Sequence, residues 1–269
     1  QQEGISLSAE DKLKITLKLD KLGVQYIEGG TPGSNPKDVE YFQKVRNLSL
    51  DNAKIAAFGL TRRAGSNVEE DDNIQALLES QAEIITLVAK SSDIQVTQVL
   101  ETSLEENLSM IFDSVSYLKK HGRTVFLDAE HFFDGYRSNP DYAMRCLNAA
   151  AEAGADSLEL CDTNGGALPS EIEMAIVEIC KKIDRPLGIH CHDDADLAVA
   201  NTLVAVAAGV TNVQGSINGY GERCGNANLL SIIANLKLKY NIDCVSDEQL
   251  GSLTDVSHYV SEVVNIPPD

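Results

Sequence analysis

A chain of 269 residues is near the upper size of a single hydrophobic core, roughly 250 residues being usual for an eight-fold β/α barrel. Its 22 Lys and Arg against 41 Asp and Glu give a net charge of −19, a field that repels nucleic acid and anionic membrane surfaces and leaves small molecules and protein subunits as partners. The apolar runs are too short to cross a bilayer, and six cysteines at irregular spacings suit reduced thiols in the cytoplasm.

In chain order, helical periodicity over Ala9 to Leu22 precedes an apolar run at Val24 to Gly30, and further short runs follow at Lys54 to Leu60 and Ile84 to Ala89. A helix is predicted over Leu104 to His121, a strand over Thr124 to Asp128, a helix over Pro140 to Ala153 and a strand over Ser157 to Leu160. Pro169 to Ile183 reads as helix, Pro186 to His192 as strand, Ala195 to Ala208 as helix and Asn212 to Ile217 as the seventh strand. Several of these helices open on Ser, Asp or Pro and close on Gly, as in Lys21-Leu22-Gly23-Val24 and Glu152-Ala153-Gly154-Ala155. Strands that alternate with helices and are apolar almost throughout imply a parallel sheet covered on both faces.

Polar residues cluster just after nearly every strand: Glu28, then Glu130 and His131, Asp162 and Thr163, the histidines at 190 and 192, and Asn218 and Glu222. Such residues converge on the mouth of a closed barrel, whereas an open sheet gathers its site at one switch point, so the expected fold is an α/β (β/α)8 TIM barrel. Residues 1–240 are expected to form the barrel and residues 241–269 a helical linker. No glycine fingerprint of a dinucleotide-binding turn is present, and Gly29-Gly30-Thr31-Pro32-Gly33 lacks the lysine of a phosphate loop.

The stretch His190-Cys191-His192-Asp193-Asp194 closes an apolar run, and Gly219-Tyr220-Gly221-Glu222-Arg223-Cys224-Gly225-Asn226 answers it about thirty residues later. Imidazoles at i and i+2 on a strand share one face, so His190 and His192 can grip one divalent metal while Cys191 turns the other way. A lone histidine there would more often be a satisfied polar group at a strand end. Two of the chain's five histidines on one strand face argue for a site.

Five motifs, in order, carry a resemblance: Tyr26-Ile-Glu-Gly-Gly30 with Pro32-Gly-Ser-Asn-Pro-Lys-Asp38, Asp128-Ala-Glu-His-Phe-Phe-Asp-Gly135, Cys161-Asp-Thr-Asn-Gly-Gly166, His190-Cys-His192 and Asn218-Gly-Tyr-Gly-Glu-Arg-Cys-Gly-Asn226. Together they resemble the citramalate synthase branch of the isopropylmalate and homocitrate synthase family, over essentially the whole chain. The resemblance implies a metal-dependent barrel, a dimer in the cytoplasm, that condenses acetyl-CoA with a 2-oxo acid, here pyruvate, on a route to isoleucine. It makes Asn226 the oxygen ligand beside His190 and His192, with zinc, manganese or magnesium as the ion. Glu130 is the candidate general base, the alternative being a structural carboxylate paired with Arg137. Thr163 is placed to donate its hydroxyl to the substrate carboxylate, the alternative being a helix-capping threonine. Asp128, His131 and Glu28 are expected at the substrate, and Asp193, Glu222 and Arg223 are expected to orient ligands, with Asp193 adding charge beside the metal.

Family members open on a first strand ending in Leu-Arg-Asp-Gly, whose arginine polarises the keto oxygen and whose aspartate is a further metal ligand. This sequence starts beyond it, at Gln1-Gln2-Glu3-Gly4, so the expectation is a barrel lacking its first strand and a fragment without condensing activity of its own. Asn265-Ile-Pro-Pro-Asp269 resembles the start of a linker to an accessory region. Isopropylmalate or homocitrate synthesis, or a lyase or aldolase on the same barrel, are the competing activities.

Overall fold

The computed structural model describes residues 4–267, so Gln1 to Glu3 of the opening stretch and Pro268 and Asp269 of the closing one lie outside it. In chain order the elements are α1 (Ala9–Leu22), β1 (Tyr26–Glu28), α2 (Pro36–Val45), β2 (Lys54–Leu60), α3 (Asp72–Glu79), β3 (Ile84–Lys90) and α4 (Asp93–Gln98). Then come α5 (Leu104–Lys120), β4 (Thr124–Glu130), α6 (Phe132–Ser138), α7 (Pro140–Ala153), β5 (Ser157–Asp162) and α8 (Pro169–Cys180). The chain finishes through β6 (Leu187–Cys191), α9 (Ala198–Ala207), β7 (Asn212–Gln214), α10 (Leu229–Leu238), α11 (Asp247–Gly251) and α12 (Leu253–Val264).

Local chemistry sets these boundaries. The Ser8 hydroxyl accepts from the Asp11 amide while the Asp11 carboxylate accepts from the Ser8 amide, a reciprocal cap that starts α1, and Gly23 in the left-handed region ends it. Asn139 caps α7 with Pro140 as its first residue, and left-handed Gly154 closes it. Helix α9 begins at Ala198, later than the expected Ala195, because Asp193 to Leu197 form a turn in which Asp196 is left-handed and the Asp193 carboxylate caps the Ala198 amide at 2.7 Å. Strands β1 and β7 are shorter than their apolar runs; each has only one neighbour to pair with.

All seven strands run parallel in the order β1-β2-β3-β4-β5-β6-β7. The sheet is strongly curled. In a flat sheet β4 and β7 would lie three strand spacings apart, about 14 Å. Yet Gln214 on β7 donates to Asp128 on β4 at 2.8 Å, and Tyr26 on β1 meets Phe126 on β4 edge to face at 5.1 Å. This is the wall of a β/α barrel with one strand position unfilled among the described residues, and β1 and β7 are its open edges.

Alternation along the strands divides two environments. Odd residues of β4, Val125, Leu127 and Ala129, are fully buried against the helices, as are Ile85, Leu87, Leu158, Leu160 and Ile189. Even residues face inward: Phe126 packs with Ala56 and Ile84 as a small apolar floor, and Asp128 and Glu130 stand above it. A second apolar cluster joins Leu22 of α1 to Leu230 and Ile233 of α10 and to Val256, Val260 and Val264 of α12. Residues 247–264, within the stretch expected to be a linker, are therefore two helices packed on the barrel's α1 side.

Gly188 on β6 is required by what it faces. A Cβ there would lie 1.3 Å from Oε2 of the fully buried Glu159, whose other oxygen accepts from Ser157 Oγ at 2.5 Å and Asn212 Nδ2 at 2.9 Å. Gly188→Ala should destabilise the chain by at least about 1–3 kcal/mol. Adding Glu159→Ala should recover part of that loss in thermal melts, because the two positions share one space. An unchanged melting temperature in Gly188→Ala would contradict this packing.

Candidate active site at the carboxyl ends of the strands

His190 ends β6 and His192 follows it, with ring centroids 5.2 Å apart and planes inclined at 53°, while Cys191 between them is buried toward the helices. The 215–228 segment folds back over this strand end: His192 bridges to Asn226, Ala227 N donates to Cys191 O, and Asp193 N donates to Gly225 O. The turn depends on Gly225, at φ 106°, where a Cβ would strike Gly219 O at 2.2 Å.

Two atoms here are buried without a hydrogen-bond partner: Nδ1 of His192 and Oδ1 of Asn226. Leaving such groups unsatisfied costs about 1–3 kcal/mol each, so their coincidence on one backbone bridge marks a place for a ligand. Burial, then neighbouring His190 and Arg223, push His192 down to about 4, and burial also lowers His190. Both imidazoles are therefore neutral at pH 7, with a lone pair available. Neutral imidazoles and an amide oxygen suit a divalent cation. Among the described residues no three His, Cys, Asp or Glu side chains gather at one point, and the candidate donors here are two imidazoles and an amide.

Carboxyl groups form a band across the inner face. Asp128 is pushed up to about 7 by burial and by the charge of Glu130, against a hydrogen bond from Gln214 that favours the ionised form. Glu159 is raised to about 7 by burial and by Asp128. Glu28 is raised to about 8 by the surrounding protein and by Asp128, with Lys12 opposing; water reaching its side chain along the open edge strand screens this shift. The Gln214 amide spans the band, its oxygen 2.8 Å from His190 Nδ1 and its nitrogen donating to Asp128.

Glu130 pairs with Lys90, its register partner on β3, at 2.5 Å; Arg137, the partner weighed from sequence, instead binds Glu171 at 3.1 Å. Thr163 does not cap a helix from within its own turn. Its Oγ1 accepts from the amide of His131, a residue held left-handed at φ 58°, and its proton stays free to donate. The His131 ring lies 3.6 Å from Asp134. Arg223 makes a two-pronged contact with Asp194 at 2.8 Å and donates to Thr163 O at 2.7 Å, tying the 219–226 loop to the end of β5. Glu222 lies at 3.9 Å from Arg223. Asp193, expected to add charge beside the histidines, accepts from the Ala198 amide through Oδ1 and so caps α9.

Sequence reading missed Gln214, Lys90, Glu159 and Asp194. Lys90 and Gln214 are the register partners of Glu130 and His190, and register is not written in the local pattern. Glu159 had a signal: a carboxylate in the middle of an apolar strand asks for a reason.

The HMGL-like family model matches residues 1–260. The chain belongs to the HMGL-like family. It is 53% identical over 269 residues to a protein of Geobacter sulfurreducens named (R)-citramalate synthase, and 51% identical over 272 residues to one of the same name from Aquifex aeolicus. These alignments cover 100% and 99% of the chain but 51% of each relative, so the chain spans about half the length of the curated relatives it matches. Among solved structures, the HMG-CoA lyase of Bacillus subtilis superposes with a TM-score of 0.80 at 20% identity, covering 98% of this chain and 89% of that one, a likeness of fold alone.

Because burial raises Glu159 above its usual value of 4.5 to about 7, the folded chain binds that proton more tightly than the unfolded chain does. Its contribution to stability is therefore complete below about pH 4.5, falls as pH rises to about 7, and is level above that. Glu159→Gln should remove this part of the fall when denaturant unfolding is followed from pH 5 to 8. Identical pH slopes in both proteins would show that Glu159 titrates normally.

Proposed function

We propose that this chain is the catalytic region of an acyltransferase that condenses acetyl-CoA with pyruvate to citramalate, on a route to isoleucine. The observation that carries the reading is the orphaned pair, Nδ1 of His192 and Oδ1 of Asn226, beside His190 at the carboxyl end of β6. Whole-chain likeness to proteins named (R)-citramalate synthase supports the choice of acceptor.

His190, His192 and Asn226 would hold a divalent ion, zinc, manganese or magnesium, and when bound it supplies Lewis acidity toward the carbonyl and carboxylate of the 2-oxo acid. Thr163, with its hydroxyl proton free, donates to that carboxylate. Glu130 takes a proton from the acetyl methyl group, directly or through one water, and Lys90 holds its carboxyl in place. A carbon–carbon bond forms to the keto carbon, the keto oxygen gains a proton, and hydrolysis of the thioester releases CoA. Asp128 and Glu28, raised toward neutrality, stand on the inner wall as groups able to exchange protons near pH 7. Glu222 and Arg223 keep the 219–226 loop against β5. Six free thiols support a reducing compartment, which we take to be the cytoplasm, and family likeness supports a dimer.

The test is release of free thiol from acetyl-CoA by the full-length protein, supplied with each metal and with pyruvate, 2-oxoisovalerate or 2-oxoglutarate. Pyruvate should be preferred in a graded way, since one methylene is worth only about 1–3 kcal/mol of discrimination. Glu130→Gln should lower kcat by about 10²–10⁴-fold. Faster turnover of 2-oxoisovalerate would move the chain to isopropylmalate synthesis, and cleavage of a hydroxyacyl-CoA without condensation would make it a lyase.

A further inference from the structure

We propose that Gln214 is a positioning residue that holds His190 in the tautomer with its proton on Nδ1, leaving Nε2 as the nitrogen with a free lone pair. The inference rests on reading His190 as a metal ligand.

His190 and Gln214 are register partners on β6 and β7, so both side chains stand on the inner face. The amide is oriented by its far end. Its Nε2 donates to Asp128 Oδ1 at 2.8 Å, a contact between residues 86 apart in sequence, and this turns Oε1 toward His190 Nδ1, also at 2.8 Å. An amide oxygen only accepts, so Nδ1 must carry the hydrogen. The inverted amide would set its NH2 against Nδ1 and its oxygen against Asp128, and Asp128 would then have to donate a proton. Above about pH 7, where Asp128 is ionised, that arrangement is closed.

Gln214 thus links a carboxyl on β4 to the ring on β6 through one rigid plane. Partners of this kind fix the ring orientation of a metal-binding histidine and raise its basicity, and losing one typically weakens metal binding by about 10–100-fold. A leucine offers no acceptor to Nδ1–H, while a glutamate keeps the acceptor but sets a second carboxylate against Asp128.

The test uses the full-length protein in two ways. Without metal, at about pH 8.5 where Asp128 is ionised, nitrogen-15 spectra of labelled histidine report the His190 tautomer, with His190→Gln assigning the signal. The Nδ1–H form is expected; the Nε2–H form would overturn the proposal. Cobalt titration followed by visible absorption then compares variants. Gln214→Leu should bind cobalt about 10–100-fold more weakly, and Gln214→Glu, which still accepts from Nδ1–H, should bind more tightly than Gln214→Leu. Wild-type affinity in Gln214→Leu, or no rescue by Gln214→Glu, would overturn it. Equal cobalt uptake by wild type and His192→Ala would instead refute the metal reading, and the metal-free tautomer would still decide the role of Gln214. Should Gln214→Leu fail to fold, that same wild-type spectrum decides.

Discussion

Everything in this chain depends on the two-residue alternation of its parallel strands. Along β4 it sends Val125, Leu127 and Ala129 into the helices and Phe126, Asp128 and Glu130 into the barrel, with no room for a register error. The outward layer supplies the apolar burial that makes the fold stable. The inward layer is thereby released from that duty, and it is where charge and hydrogen bonding accumulate.

That release has a physical consequence. Burial raises Asp128, Glu159 and Glu28, the charge of Asp128 adds to the other two and that of Glu130 adds to Asp128, so the wall titrates near neutrality where ordinary carboxylates would not. Lys12 opposes the shift of Glu28 at the edge, and Lys90 is spent on Glu130. One end of the same space therefore holds a carboxyl paired with a lysine and another holds carboxyls raised toward neutrality, two different environments of the kind acid–base chemistry uses. The histidines are pushed the opposite way, toward neutrality, and the loop from Gly219 to Asn226 brings a neutral amide beside His192.

Much of this was legible in the sequence, and unevenly. Periodicity located all seven strands, because fully buried parallel strands are written as apolar runs, and capping chemistry fixed α1 and α7. The i, i+2 spacing of His190 and His192 gave their shared face directly. The contacts of Glu130, Gln214 and Arg223 were not legible, since they join β3 to β4, β7 to β4 and the last loop to Asp194, and such pairs depend on curl and register that no local pattern encodes. The cap that Asp193 makes on α9 was likewise not legible, since it depends on the turn that follows β6.

The central claim is that His190, His192 and Asn226 together hold a divalent ion. X-ray absorption at the metal edge of the zinc-loaded full-length protein tests it most directly. Multiple scattering from two imidazoles, reduced to one in His192→Ala, is the result this account predicts. A first shell without imidazole, or one unchanged by His192→Ala, would contradict it.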